Sequence, residues 1–254
     1  MSAPASPSPD TPRSWRWLCA AYAIFRQKPV LICSALVFYF SLSSLIATLP
    51  VVGSILSMLL TPCFIVSLMN LILRPRPTVK DIFQPFRERL KPLLGLAFVL
   101  MLCVLLVTSL LVLLDSEFAR ALGQPNAMEA LLKPENQLST LALFVLLTPI
   151  IMAYWFAPLL VAWRQFSIAK ALFFSFMTTL RNWRPVLGCF LLFSLLVFSA
   201  LILMVMLATV SMALAQMLSM FVLIVVAALN FCLTCVIYQD FFPPPAPKHI
   251  SELA

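Results

Sequence analysis

Six runs of roughly twenty or more apolar residues, none interrupted by Asp, Glu, Lys or Arg, constrain this chain more than any other feature. They are Val30–Leu49, Val52–Leu73, Leu93–Leu114, Leu138–Trp163, Val186–Val210 and Met212–Tyr238. A helix of about 20 mostly apolar residues spans the bilayer's hydrocarbon layer of about 30 Å. A transmembrane barrel would instead alternate apolar and polar side chains along short strands, whereas these runs are apolar on every side. Apolar residues make up 63% of the chain and charged residues 10%, against roughly 45–50% and 25% in soluble domains. Lipid must therefore cover most of the outside. The expected fold is an all-α polytopic membrane protein with six transmembrane helices.

The basic residues orient it. Four precede the first run (Arg13, Arg16, Arg26, Lys28) and none lies in the first turn. Six fill the second loop (Arg74, Arg76, Lys80, Arg87, Arg89, Lys91), two the third (Arg120, Lys133) and four the fourth (Arg164, Lys170, Arg181, Arg184). The fifth has none and the tail has Lys248. Alternate sides thus carry fifteen and two, and the poorer side also holds Asp115, Glu117, Glu129 and Glu135. The positive-inside rule then places both termini in the cytoplasm. The net charge of +8 reads as topology and attraction to anionic headgroups, not as nucleic-acid binding. Trp15, Trp17, Trp163 and Trp183 fall at cytoplasmic boundaries, where an amphipathic ring suits the headgroup layer.

The first apolar run is too long for the core of a cleavable signal peptide, so it is expected to be an uncleaved anchor behind a disordered Pro/Ser-rich tail, residues 1–13. A Pro-rich cytoplasmic tail, residues 241–254, is expected to close the chain. Between them lies one transmembrane domain, 14–240. Its seven cysteines are scattered and frame no disulfide pattern. Cys232-Leu-Thr-Cys235 has metal-like spacing but sits in an apolar run with no basic neighbour, and the one histidine is His249. Packing thiols are expected there, with no metal and no cofactor.

Three places repeat one pattern: Phe25-Arg-Gln-Lys-Pro29, Arg89-Leu-Lys-Pro92-Leu-Leu-Gly95 and Arg181-Asn-Trp-Arg-Pro185-Val-Leu-Gly188. Each sets basic residues at the headgroups and a proline in the first turn of an outgoing span, where its missing N–H is no loss. The returning spans share Leu59-Leu-Thr-Pro62 and Leu146-Leu-Thr-Pro149. These signatures predict three hairpin repeats, about 14–77, 78–164 and 165–240, each preceded by a cytoplasmic interfacial amphipathic helix. The third such helix is the clearest. Phe166, Ala169, Leu172, Phe173, Phe176, Met177, Leu180 and Trp183 share one face, with Ser167, Lys170, Thr178 and Arg181 opposite and Phe174 the exception. The second begins at a capping-box-like Thr78-Val-Lys-Asp81. Such faces serve either lipid or the cytoplasmic end of the bundle.

No catalytic constellation is visible: no histidine pair, no Gly-x-Ser-x-Gly, no phosphate-cradling loop and no carboxylate inside a span. An enzyme is not expected, and a proton-coupled pump is disfavoured by the same absence of intramembrane charge. The intramembrane polar residues Asn70, Gln216 and Asn230 can line a cavity or simply bond between helices. In Tyr154-Trp155-Phe-Ala-Pro158 the proline cannot bond the Tyr154 carbonyl, so a kink and an accessible carbonyl are expected. Arg164, Lys170, Arg181, Asn182, Trp183 and Arg184 gather the cations and amphipathic groups that suit phosphorylated headgroups.

Trp-Phe-Ala-Pro-Leu-Leu-Val-Ala (155–162), Ala171-Leu-Phe-Phe-Ser-Phe176, Arg181-Asn-Trp183, the Trp-Arg-Trp start, Phe25-Arg-Gln-Lys-Pro29 and Tyr238-Gln-Asp240 resemble an uncharacterised family of proteobacterial polytopic inner-membrane proteins. The layout is more distantly similar to the membrane portion of some glycerophosphoryl diester phosphodiesterases, whose acidic metal-binding residues are absent here. The resemblance implies a bacterial inner-membrane location and no mechanism. The expected role is a non-enzymatic one, binding anionic membrane lipid, a membrane-protein partner or a second copy at the cytoplasmic face. A carrier or lipid translocator built from three like-oriented hairpins is the alternative, and an intramembrane enzyme a third class.

Overall fold

The structure, a computed structural model, describes residues 12–49, 52–74, 79–124, 126–131 and 133–243. The Pro/Ser-rich start, the Thr78 capping-box position and the Pro-rich tail lie outside the described residues. Among those described there is no strand, as expected in hydrocarbon, where a helix satisfies its own backbone donors and acceptors.

The chain order is α1 (Arg13–Gln27), α2 (Pro29–Ala47), α3 (Val52–Leu73), α4 (Val79–Glu88), α5 (Leu90–Leu114), α6 (Ser116–Leu122), α7 (Ala127–Leu131), a short 3-10 turn (Pro134–Asn136), α8 (Gln137–Trp155), α9 (Ala157–Trp163), α10 (Ile168–Arg181), α11 (Trp183–Val210) and α12 (Met212–Phe241). Six stretches among them are long and apolar enough to cross a membrane: α2, α3, α5, the stretch holding α8 and α9, α11 and α12. The protein is an all-α polytopic membrane protein.

Pro62 and Pro149 lie inside α3 and α8. Each removes one backbone donor, and the threonine before each bonds back one turn. Thr61 donates to the Ser57 carbonyl and Thr148 to the Phe144 carbonyl, both at 2.7 Å. A hydroxyl folded onto its own helix needs no partner in lipid.

The helices form two compact units. One comprises the described residues of Met1–Phe40, Leu68–Pro77 and Trp183–Ala254. There α1 packs on α11 and α12. Asp240, near the end of α12, accepts from Arg13 Nε at 2.8 Å and from Trp17 Nε1 at 3.1 Å. The Trp17 ring meets Phe241 edge-on at 5.6 Å. Trp17 and Ala21 are buried, so the tryptophan expected at the headgroups is instead packed on protein. At Gly188 of α11 a Cβ would come within 2.8 Å of Ser14 Oγ, so the small residue admits α1. The Lys28 ammonium donates to the Arg74 carbonyl just past α3, satisfying a helix-end acceptor.

The other unit comprises the described residues of Ser41–Ser67 and Thr78–Asn182. Here α4 lies against α3, with Phe64 and Phe86 edge-on at 5.3 Å and Ser67 Oγ 2.5 Å from the Ile82 carbonyl oxygen. Helices α5 and α8 pair, and α10 lies on α8 and α9. Gly95 of α5 is the counterpart of Gly188: a Cβ there would sit 2.9 Å from Ile168 Cδ1 of α10.

The segment between α5 and α8, read from sequence as an outer loop, is folded. Asp115 caps α6, accepting from the Glu117 and Phe118 amides at 2.9 and 3.3 Å, the favoured N-cap geometry. Phe118 is fully buried with Val107 and Leu111, beneath Leu131, Leu143, Leu147 and Ile150.

Candidate functional site

In the second unit the fourth span is broken in two. Helix α8 ends at Trp155 and α9 begins at Ala157, with Phe156 shared between them. Pro158 therefore sits in the first turn of a new helix, where proline is well tolerated, instead of kinking a continuous one. Leu159 and Leu160 donate to the Phe156 carbonyl at 3.1 and 3.0 Å. The Tyr154 carbonyl, expected to be released at Pro158, takes the Phe156 N–H.

Ser175 of α10 completes the break. Its hydroxyl donates to the Met152 carbonyl at 2.9 Å and accepts from the Phe156 N–H at 3.0 Å. Those are the two groups that an unbroken α-helix would join to each other. A side chain inserted into the ladder is one of the recognised causes of a sharp bend. Ser175 and Phe156 are both fully buried, so water does not compete for these bonds. The Trp155 and Phe156 rings stack at 5.1 Å with 9° between their planes.

Helix α10 meets the break along Ala171, Ser175 and Thr179, spaced four apart and all buried. Small residues at that spacing let two backbones approach closely. Opposite them Phe173, Phe174, Met177 and Leu180 are exposed, as are Lys170 and Arg181. The ammonium of Lys170 stands 4.4 Å from the Phe166 ring centroid and 5.9 Å from that of Phe174, a cation held between two aromatic faces. Helix α9 ends where Gln165 takes φ 56°, the left-handed conformation that commonly terminates a helix.

A cavity of about 220 Å³ adjoins the break, lined by Val99, Leu100, Cys103, Pro149, Ile150, Ala153, Tyr154, Leu172 and Phe176. Tyr154 and the hinge proline Pro149 thus share one apolar hollow with two residues from the face predicted to be interfacial. The other sequence candidates are not among its lining residues. Asn182 folds back, its amide donating to the Thr178 carbonyl at 2.9 Å, and so caps α10. Trp183 and Arg184 belong to the other unit, with the guanidinium 5.6 Å from its neighbour's ring. Asn70 is buried in α3. Gln216 and Asn230 are exposed on α12, about 21 Å apart along its axis. These three do not form one polar cluster.

Sequence reasoning passed over Ser175 and Asp240. The four-residue spacing of Ala171, Ser175 and Thr179 was a usable signal for the first. Tyr238-Gln-Asp240 stands among the motifs of the family resemblance, but nothing local shows the partners of Asp240, which lie more than two hundred residues away.

Among known proteins, the chain is 30% identical over 258 residues to a probable inner membrane protein of Burkholderia thailandensis, an alignment covering 91% of this chain and 93% of that one. No family model and no solved structure matches.

Proposed function

The chain belongs to the family of that probable inner membrane protein, and we propose that it serves there without catalysis, by holding anionic phospholipid at the cytoplasmic face. The observation that carries this reading is the division of labour on α10. Its small residues seat the helix on the broken span, while Lys170 and Arg181 share the outward side with Phe173, Phe174, Met177 and Leu180. Cations beside exposed apolar side chains match a phosphate above an acyl chain. The apolar hollow beside Tyr154 gives such a chain a place to lodge.

The orientation follows the basic residues, with both termini and α1, α4 and α10 cytoplasmic. The three-repeat reading is supported by the order of elements: each of these short helices ends within two residues of a long apolar one. It is supported again by the paired Thr-Pro turns and by the two glycines that admit a short helix, each three residues after its junction proline. Likeness to the membrane portion of glycerophosphoryl diester phosphodiesterases is then a matter of layout alone. A carrier would need a polar passage, and the hollow beside Tyr154 is lined by apolar side chains and the ring of Tyr154.

The test is retention of phosphatidylglycerol against phosphatidylcholine by the purified full-length protein, counted by native mass spectrometry. Each cation near an anionic surface contributes about 1 kcal/mol. The triple variant Arg164→Gln, Lys170→Gln, Arg181→Gln should therefore lose about a hundredfold in retention of the anionic lipid. Unchanged retention in a variant of normal thermal stability would count against the proposal.

A further inference from the structure

The first unit holds a larger groove that the α10 site does not involve. It measures about 610 Å³ and runs between α1 and the two last spans, lined by Trp15, Leu18 and Tyr22 on one side and by Phe193, Leu196 and Leu229 on the other, among others. Its volume lies within the range of small-molecule sites, roughly 300–1,000 Å³. Its walls are almost wholly apolar. Ser199, which also lines it, spends its hydroxyl on the Leu196 carbonyl at 2.7 Å, so it makes no demand on an occupant. Trp15, Tyr22, Leu195 and Leu196 remain exposed, so the groove is open along its length.

Arg26 lies one turn beyond Tyr22 on α1, its guanidinium 5.8 Å from the tyrosine ring centroid. At the other end of α1, Arg13 is bound to Asp240 at 2.6 Å, while Arg16 beside Trp15 is exposed. From Trp15 to Arg26 is about 16 Å along the helix. An apolar trough with an exposed cation one turn past its last ring is complementary to one acyl chain carrying one phosphate.

We propose that this groove holds one anionic phospholipid as a resident ligand, its acyl chain between α1 and the α11–α12 pair and its phosphate at Arg26. The lipid then completes the packing of α1 on the last hairpin, which Trp17 and Asp240 begin. A helix of a partner protein or of a second copy fits less well. Its backbone would need an uninterrupted apolar face, and α1 ends that face at Arg26.

The experiment uses the full-length protein released gently from membranes, with bound phospholipid counted by native mass spectrometry and identified after extraction. Leu196→Trp fills the groove and should abolish one equivalent of tightly held phospholipid. Arg26→Gln leaves the apolar walls intact, lies on an exposed surface, and should weaken retention of phosphatidylglycerol about fivefold, the equivalent of about 1 kcal/mol, while leaving phosphatidylcholine unaffected. Wild-type stoichiometry in both variants would overturn the proposal, as would a resident lipid indifferent to Arg26→Gln. The Lys170 and Arg181 variants act on the other unit and should leave this lipid in place, so failure here and failure of the α10 reading give different results.

Discussion

Ser175→Ala separates a hinge made by proline from one made by an inserted hydroxyl. The substitution removes one oxygen and with it two hydrogen bonds, to the Met152 carbonyl and the Phe156 amide. Side-chain hydrogen bonds between membrane helices average about 0.6 kcal/mol each, which sets a floor of about 1.2 kcal/mol for the pair. The Met152 carbonyl left with no partner would cost about 1–3 kcal/mol, a ceiling of about 3, because the Phe156 N–H keeps the Tyr154 carbonyl. The ceiling is not reached, because the Met152 carbonyl and the Phe156 N–H belong to one turn and can close on each other. That closure straightens α8 into α9 and strains the seat of α10, so a loss of about 2 kcal/mol is expected. Pro158→Ala restores an N–H at the same break and makes closure easier, and the double variant should lose less than the sum of the singles, by about 1 kcal/mol. The assay is reversible unfolding in mixed micelles, followed by far-UV circular dichroism. A Ser175→Ala variant within 0.5 kcal/mol of wild type, or strict additivity with Pro158→Ala, would refute the claim that the hydroxyl holds the span open.

Two further outcomes follow from the outer side and the topology. The Ser139 hydroxyl, with the amides of Phe118 and Glu117, holds the Asp115 carboxyl below its ordinary range. Its contribution to stability is therefore complete above the usual carboxylate pKa of about 3.9 and is lost as pH falls through the lower folded value. Ser139→Ala should move that loss to higher pH in the acid limb of thermal unfolding, and superimposable limbs would contradict the assignment. Reporter fusions at residues 125 and 250 should read outside and inside respectively, and any other pattern would break the orientation taken from the basic residues.

What could be read in advance follows from where the information lies along the chain. The six spans were legible because exclusion of charge over about twenty residues has no other common cause. The positions at which α2, α5 and α11 begin were legible because proline and basic residues mark them within a few positions. The folded segment between α5 and α8 was missed, although Asp115-Ser-Glu-Phe118 is a plausible helix start. Its helices are five and seven residues long, too short to form without tertiary support, and that support is the burial of Phe118. At Tyr154–Pro158 the proline announced a disturbance but not its form, because the partner that shapes it is twenty residues away on another helix. Asp240 was legible as the end of Tyr238-Gln-Asp240, but not as the partner of Arg13 and Trp17.

The short helices share a rule that no single stretch displays. Helix α4 touches α3, the span just before it in the chain, as well as α5 just after it, and α10 seats on α8 and α9, again just before it. Helix α1 has no preceding span, and it seats on α11 and α12, the last two. The offset of one is thus kept by returning to the end of the chain, and Arg13, Trp17 and Asp240 are the residues that close it. A consequence for assembly follows. Because synthesis proceeds from the N-terminus, α10 meets a seat already made, whereas α1 is made first and its seat last. Until α12 is inserted, the face carrying Trp17 and Ala21 must lie in the headgroup layer, where a tryptophan is at home. The residue that looks like an interfacial anchor in the sequence is thus suited to both stages, first as an anchor in lipid and then as a buried partner of Asp240 and Phe241.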